Sequence, residues 1–399
     1  MNPVKNSRNL IDYESRITNS DSTKISNPVR DLSLSGANGV KKIALAHDHL
    51  FQIGGAEKVL MALAGLDDKL PIFTLINDPK MTKELLDQSN IVTSSLQKIP
   101  GIFKFFKYFL LLMPRIWEKT DLSDYDTIIT SSSAFVKGVK TGPNTKHICY
   151  CYTPTRYLWD DKEEYIGNLP EGKLLKMFLP KLLDRLQIWD FNKAQKVDQF
   201  IATSKFIAKK IFKHYKKEAL VIYPPLKVNE FKISEEIEDY YLIVSRLRPY
   251  KRVDIAIKAF NNLKLPLKII GGGDELRRLK KMAHSNIEFL GELSDEERNY
   301  HLSHCKAFIY PQIEDFGITA LEAMASGRPV IAYAEGGALE TVVEGVTGTL
   351  FNDQTWESLA HKILRFDDKK FNPYTLRNYA EQFDESIFKQ KMLNLINNI

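Results

Sequence analysis

The residues with most capacity for chemistry lie in one run, Pro311-Gln312-Ile313-Glu314-Asp315-Phe316-Gly317-Ile318-Thr319-Ala320-Leu321-Glu322. Two glutamates eight apart mean little alone, since roughly one or two such pairs arise by chance at this composition. Their setting says more. Glu314 falls in a loop after the apolar run Ala307-Phe308-Ile309-Tyr310, and Gly317 lets backbone approach a ligand closely. The helix predicted from Ile318 offers free N–H groups to a phosphate, and Glu322, one to two turns into it, can reach a sugar hydroxyl. An ordinary strand–helix–strand unit with a solvated Glu322 would look the same, so the run needs company.

Arg246 and Lys251 supply it. They follow a second apolar run, Tyr240 to Val244, and straddle Pro249. Two fixed cations so placed would stabilise negative charge developing on a departing group more than its ground state; Arg248 and Arg252 read as solvated neighbours. Gly54-Gly55, opening another helical stretch, would present backbone N–H groups to an anion, although such a pair is more often a tight turn. Gly271-Gly272-Gly273 is no dinucleotide fingerprint, because Leu276 stands at the third glycine position, which argues against a nicotinamide dehydrogenase. Three metal readings fall away as well. His47-Asp48-His49 lacks a second ligand run, Cys149 and Cys151 lack a partner pair, and Asp124-Tyr125-Asp126 is a triplet that chance supplies. No required metal is expected.

These groups need a frame, and the chain alternates strands and helices twice over. In the first half, strands are predicted at 43–46, 127–130, 147–150 and 199–202, with a helix after Gly54-Gly55 and another capped by Ser204. Pro224-Pro225 can continue neither helix nor central strand and marks the linker. The second half restarts with strands at 240–244, 267–270, 287–290, 307–310 and 329–332, and with helices near 254–261, 295–303 and 318–326. The expectation is α/β: a disordered tail over 1–40, a doubly wound domain over 41–224, a second over 225–376, and a terminal segment, 377–399. Ligands collect at the carboxyl ends of such strands, here in a cleft between the domains.

Composition narrows the setting. The chain has 399 residues and three cysteines, too few to staple a secreted scaffold of this size, and no run of about 20 apolar residues. Without an apolar leader segment, a cytoplasmic location is expected. The net charge of +6 is uneven: 41–224 carries 28 basic and 20 acidic groups, 225–399 carries 23 and 26. Lys98 to Lys119 holds five basic groups, one acid (Glu118) and the aromatic run 102–109, and Lys205 to Lys217 holds six lysines and no acid. A basic, aromatic helix at 102–113 would suit the surface of an anionic membrane; a buried helix of the first domain is the plainer reading.

The Glu-seven residues-Glu run resembles the signature of family-4 retaining glycosyltransferases of the GT-B fold, two Rossmann-like domains facing across a cleft. Further motifs extend the resemblance from about Lys41 onward: Gly54-Gly55-Ala56-Glu57, Tyr152-Thr153-Pro154-Thr155-Arg156-Tyr157-Leu158-Trp159-Asp160, Val221-Ile222-Tyr223-Pro224-Pro225, and Ser245 through Asp254. The resemblance implies a hexose moved, with retention, from a nucleotide sugar to a glycan or lipid-linked glycan. It is nearest to mannosyltransferases that use GDP-mannose in surface-polysaccharide (lipopolysaccharide-type) assembly. The donor is then a substrate; no cofactor and no nucleic acid is implied. Arg246 and Lys251 would hold the diphosphate and Glu322 the ribose. Glu314 and the backbone of Phe316, Gly317, Ile318 and Thr319 would surround the sugar and phosphates, with Leu290 and Gly291 near the nucleotide and Gly54-Gly55 facing the phosphates or the acceptor. Asp384 to Ile396 resembles a helix crossing back onto the first domain. Tyr152 stands where the family often has His, and Arg156 and Asp160 are weaker candidates for acceptor contacts. A GT-B epimerase and a catalytically silent, membrane-associated partner protein are the rival readings.

Overall fold

The computed structural model describes residues 35–36, 39–168 and 173–399; the tail expected over 1–40 lies outside them apart from 35–36 and 39–40. The first sheet has seven parallel strands: β1 (Ile43–His47), β2 (Ile72–Thr74), β3 (Ile91–Thr93), β4 (Thr127–Ser132), β5 (Lys146–Cys151), β6 (Gln199–Ala202) and β7 (Ala219–Val221), in the order β3-β2-β1-β4-β5-β6-β7. The second has six: β8 (Tyr241–Val244), β9 (Leu267–Ile270), β10 (Ile287–Gly291), β11 (Ala307–Tyr310), β12 (Val330–Tyr333) and β13 (Gly348–Phe351), in the order β10-β9-β8-β11-β12-β13. Both are doubly wound, as expected. Each reverses its strand order between its first and fourth strands, and the crevice at such a reversal is where α/β sheets bind ligands.

The central strands read as continuous apolar runs because both faces are covered: β1, β4 and β11 are buried at every position. Four helices bear on the site: α1 (Gly55–Ala64), α2 (Lys205–Tyr215), α3 (Ile318–Ala325) and α4 (Glu385–Asn398). Leu226 and Asp384 form a short parallel bridge where the chain leaves the first sheet and later returns. From there α4, capped by the Asp384 side chain, lays Phe388, Met392 and Ile396 among Val59, Leu60 and Leu63 of α1. Burying each of those three side chains contributes about 1.5–3 kcal/mol, so the last helix of the chain is fastened to the first sheet.

The segment expected as one helix at 102–113 is broken into helix Ile102–Phe105, a 3-10 turn Phe106–Phe109 and helix Met113–Lys119. Pro114 accounts for the restart, since it is tolerated only in the first turn.

Candidate functional site

The loops that follow β1, β4, β8 and β11 enclose a cavity of about 650 Å³ between the sheets. Of the residues singled out above, Gly54, Gly55, Arg246, Lys251, Glu314, Phe316, Gly317, Ile318, Thr319 and Glu322 line it. Leu290 and Gly291 do not. Gly291, at φ +75°, turns the chain at the end of β10, so Leu290 packs on the core and Glu292 and Leu293 reach the cavity instead.

The second sheet contributes charge. Lys251 ends a 3-10 turn opened by Pro249, and its Nζ pairs with Glu314 in the loop after β11; both side chains are partly buried. Arg246 reaches across the cleft, donating from Nη2 to the Ile53 carbonyl at 3.1 Å and from Nη1 to Gln52 Oε1 at 3.5 Å. Glu322, buried in α3, accepts from Lys58 Nζ of α1 at 3.1 Å.

Two helix starts face one another here. Neither α1 nor α3 has a side-chain cap, whereas Ser204, Ser294, Thr355 and Asp384 each cap their own helix. The first N–H groups of a helix have no internal partner and carry roughly half a positive charge. Gly317 makes the second approach possible: at φ +95°, a Cβ there would lie 2.5 Å from Tyr310 Oη. Opposite, a Cβ on Gly55 would touch Ile318 Cδ1 at 3.5 Å, so the first side chain of α3 reaches the start of α1. An anion in this cavity meets two cations and the first amides of two helices.

The first sheet contributes a buried polar floor. His47 Nδ1 bonds Ser131 Oγ at 2.9 Å, which bonds Tyr152 Oη at 2.7 Å; Tyr152 also donates to the Ala56 carbonyl at 2.8 Å, at the start of α1. Tyr152 therefore holds that helix start in place, and burial pushes its hydroxyl far above the ordinary range. Glu57 lies 3.7 Å from His47. Burial pushes its carboxyl up, but the His47 hydrogen bond and charge outweigh this and leave it below its usual value. Asp48 accepts from the backbone amides of Ser133, Ala134, Phe135 and Val136 at 2.8–2.9 Å. Its carboxylate is thus consumed in shaping the loop after β4.

Arg156 and Asp160 are both paired within the protein. Arg156 spans the cleft to Asp315 at 2.5 Å, and Ser204 Oγ donates to the Asp315 carbonyl at 2.5 Å. Glu340 of the second half accepts from the amides of Lys205 and Phe206 at the start of α2, at 2.8 and 2.9 Å. Asp160 binds His214 (2.8 Å) and Lys210 (3.0 Å) and lies outside the cavity lining. Beneath this loop, buried Asp190 pairs with Lys137 at 2.6 Å and accepts from Trp159 Nε1 and Tyr215 Oη, which gives Trp159 a structural role.

Residues 227–384 match the family described as Glycosyl transferases group 1. Among curated relatives, the alpha-1,3/1,6-mannosyltransferase ALG2 of Dictyostelium discoideum is 26% identical over 89% of this chain and 97% of its own length. A GDP-mannose-dependent alpha-(1-6)-phosphatidylinositol monomannoside mannosyltransferase of Mycolicibacterium smegmatis is 36% identical over 27% of this chain and 33% of its own. Among solved structures, HepE of Anabaena in complex with UDP and glucose superposes with a TM-score of 0.66 at 20% identity, covering 90% of this chain and all of that one. Sucrose-phosphate synthase of Thermosynechococcus elongatus gives 0.67 at 19%, covering 90% and 98%. With the paired doubly wound sheets, these likenesses establish the GT-B fold.

Proposed function

We propose that this chain, whose residues 227–384 match the group 1 glycosyl transferases, moves a mannosyl group from GDP-mannose to a lipid-linked glycan with retention at the anomeric carbon. The observation that carries the reading is the convergence of Arg246, Lys251 and two uncapped helix N-termini on one cavity that also holds Glu314 and Glu322. Mannose and guanine are read from the relatives' names; the diphosphate is read from the charge.

In this reading the donor's anomeric C–O bond breaks and its electron pair leaves with the diphosphate. Arg246, Lys251 and the α1 and α3 amides meet the charge that develops, and such preorganised donors act most strongly where water is excluded. The acceptor hydroxyl attacks from the face the diphosphate is leaving, and its proton passes to a departing phosphate oxygen. Glu322 exchanges Lys58 for a ribose hydroxyl, while Glu314 holds Lys251 and borders the sugar. Three of the carboxylates lining the cavity have a cation already: Glu314 has Lys251, Asp315 has Arg156, and Glu322 has Lys58. We therefore expect transfer to proceed in EDTA.

No helix among the described residues is long and apolar enough to cross a membrane. A lipid-linked acceptor then calls for peripheral contact, which we place on the cytoplasmic face. The test of the donor is direct. A ligand that binds only the folded state stabilises it by about 2.7 kcal/mol at a hundredfold excess over its Kd, so GDP and GDP-mannose should raise the Tm and labelled mannose should appear in extracted lipid. A Tm raised by UDP-glucose and not by GDP would overturn the donor assignment.

A further inference from the structure

From the cavity a line of rings runs outward. His49, in the lining, stacks on Phe51 with 4.7 Å between centroids, and each lies 5.3 Å from Phe106; Phe51 is 6.3 Å from Phe103. Beyond these, Phe103, Phe105, Tyr108, Leu111 and Leu112 are 39–62% exposed. Five of the eighteen exposed large hydrophobic side chains among the described residues fall in this stretch of ten, a density that soluble surfaces avoid without a reason. The segment is well anchored, because Ile102, Phe106, Met113 and Trp117 are buried in the first domain's core. One side of 102–113 is therefore core and the other projects.

The charge around the projecting side is of one sign. Lys98, Lys104, Arg115 and Lys119 are exposed and none has an acidic partner among the described residues. Glu118, the acid in this stretch, is taken by Lys193 at 2.8 Å and Trp189 Nε1 at 2.9 Å. Protruding rings and leucines set among free cations suit the headgroup boundary of an anionic bilayer, where the apolar groups enter and the cations stay at the phosphates.

We propose that residues 98–119 seat this enzyme on an anionic bilayer, and that a lipid-linked acceptor passes from that bilayer to the cavity along Phe103, Phe51 and His49. The path rests on the lipid-linked acceptor proposed above; the seating does not. The full chain should float with vesicles of phosphatidylcholine containing 30% phosphatidylglycerol, release in high salt, and stay behind with pure phosphatidylcholine. The triple variant Phe103→Ser/Phe105→Ser/Leu111→Ser should lose flotation at least tenfold while keeping its Tm and its transfer to a water-soluble mannoside. Phe51→Ala should float as the parent does and lose about tenfold only with vesicle-borne acceptor. Flotation unchanged in the triple variant would overturn the seating, as would a patch that supported self-association in place of vesicle binding. Equal loss with soluble and vesicle-borne acceptors in Phe51→Ala would overturn the path. Flotation without transfer to any acceptor would leave the seating standing and sink the transferase reading instead.

Discussion

The two sheets share a winding order and offer opposite surfaces to the cleft. The second presents fixed charge on loops directly at its strand ends: Arg246 and Lys251 after β8, Glu314 after β11, Glu322 on the helix that follows. The first presents backbone amides at Gly54-Gly55, a buried hydroxyl–imidazole floor, and an aromatic run leading outward. On the function proposed above, the difference follows from what each half would do. A departing diphosphate needs charge at fixed points, whichever sugar it carries. An acceptor is an alcohol, and recognising it takes shape and a positioned hydrogen bond. The match to group 1 glycosyl transferases, over 227–384, falls on the charged half.

If charge in the second half carries the chemistry, removing it should cost most. Lys251→Ala and Glu314→Ala are each expected to lower kcat by about a hundred- to a thousandfold, the first by removing one preorganised partner of the developing charge and the second by removing the carboxylate that holds Lys251 in place. Their Tm should stay near the parent's, because the pair is only partly buried and its members can be solvated separately. Single-turnover transfer measured beside calorimetry checks this, and full activity in either variant would break the comparison. Next comes the carboxylate pair across the cleft. Glu322→Gln should raise the donor Kd by about tenfold, the worth of one charged hydrogen bond. Lys58→Met should change it less than about threefold, since its side chain is 38% exposed and such pairs contribute under about 1 kcal/mol. Titration calorimetry with GDP separates the two, and equal effects would mean that the first half also binds the nucleotide by charge.

The same contrast decides what could be read from the sequence. Ile43–His47 and Ala307–Tyr310 announce themselves as apolar runs because both faces of a central parallel strand are buried. Ile72–Thr74, Ile91–Thr93 and Ala219–Val221, three residues each, are too short to show a period and exist because a neighbouring strand pairs with them. Helix Lys173–Ala194 contains Pro180, which argues locally against it. In the site, the charged groups were legible where a motif keeps them within one loop or turn, as with Arg246 and Lys251. Their cross-cleft partners were not: Lys58 lies 264 residues from Glu322 and Arg156 lies 159 from Asp315, and no spacing rule reaches that far. Asp48 looked like a ligand in His47-Asp48-His49 because its four amide partners come from another loop.

The first half's polar groups should act through position and stability. Tyr152→Phe removes the hydroxyl that ties Ser131 to the start of α1. The expected cost is about 1 kcal/mol of stability, with kcat reduced less than about fivefold and the pH profile of transfer unchanged. A collapse of kcat comparable with that of Lys251→Ala would show that the floor takes part in the reaction itself.

The smallest effect separates a frame charge from a site charge. Asp160 has its carboxyl held well below the ordinary 3.8, first by the hydrogen bond from His214 and then, against burial, by Lys210. A carboxylate whose folded pKa is depressed stabilises the fold above its unfolded pKa and loses that contribution as pH falls toward the folded one. Parent and Asp160→Asn should therefore differ in Tm by a constant amount above about pH 5, and the gap should narrow steadily below about pH 4. Transfer at neutral pH should be the same in both. Were Asp160 an acceptor contact, the variant would raise the acceptor KM at every pH while leaving the acid limb of the Tm curve in place, and the division of labour between the two halves would have to be redrawn.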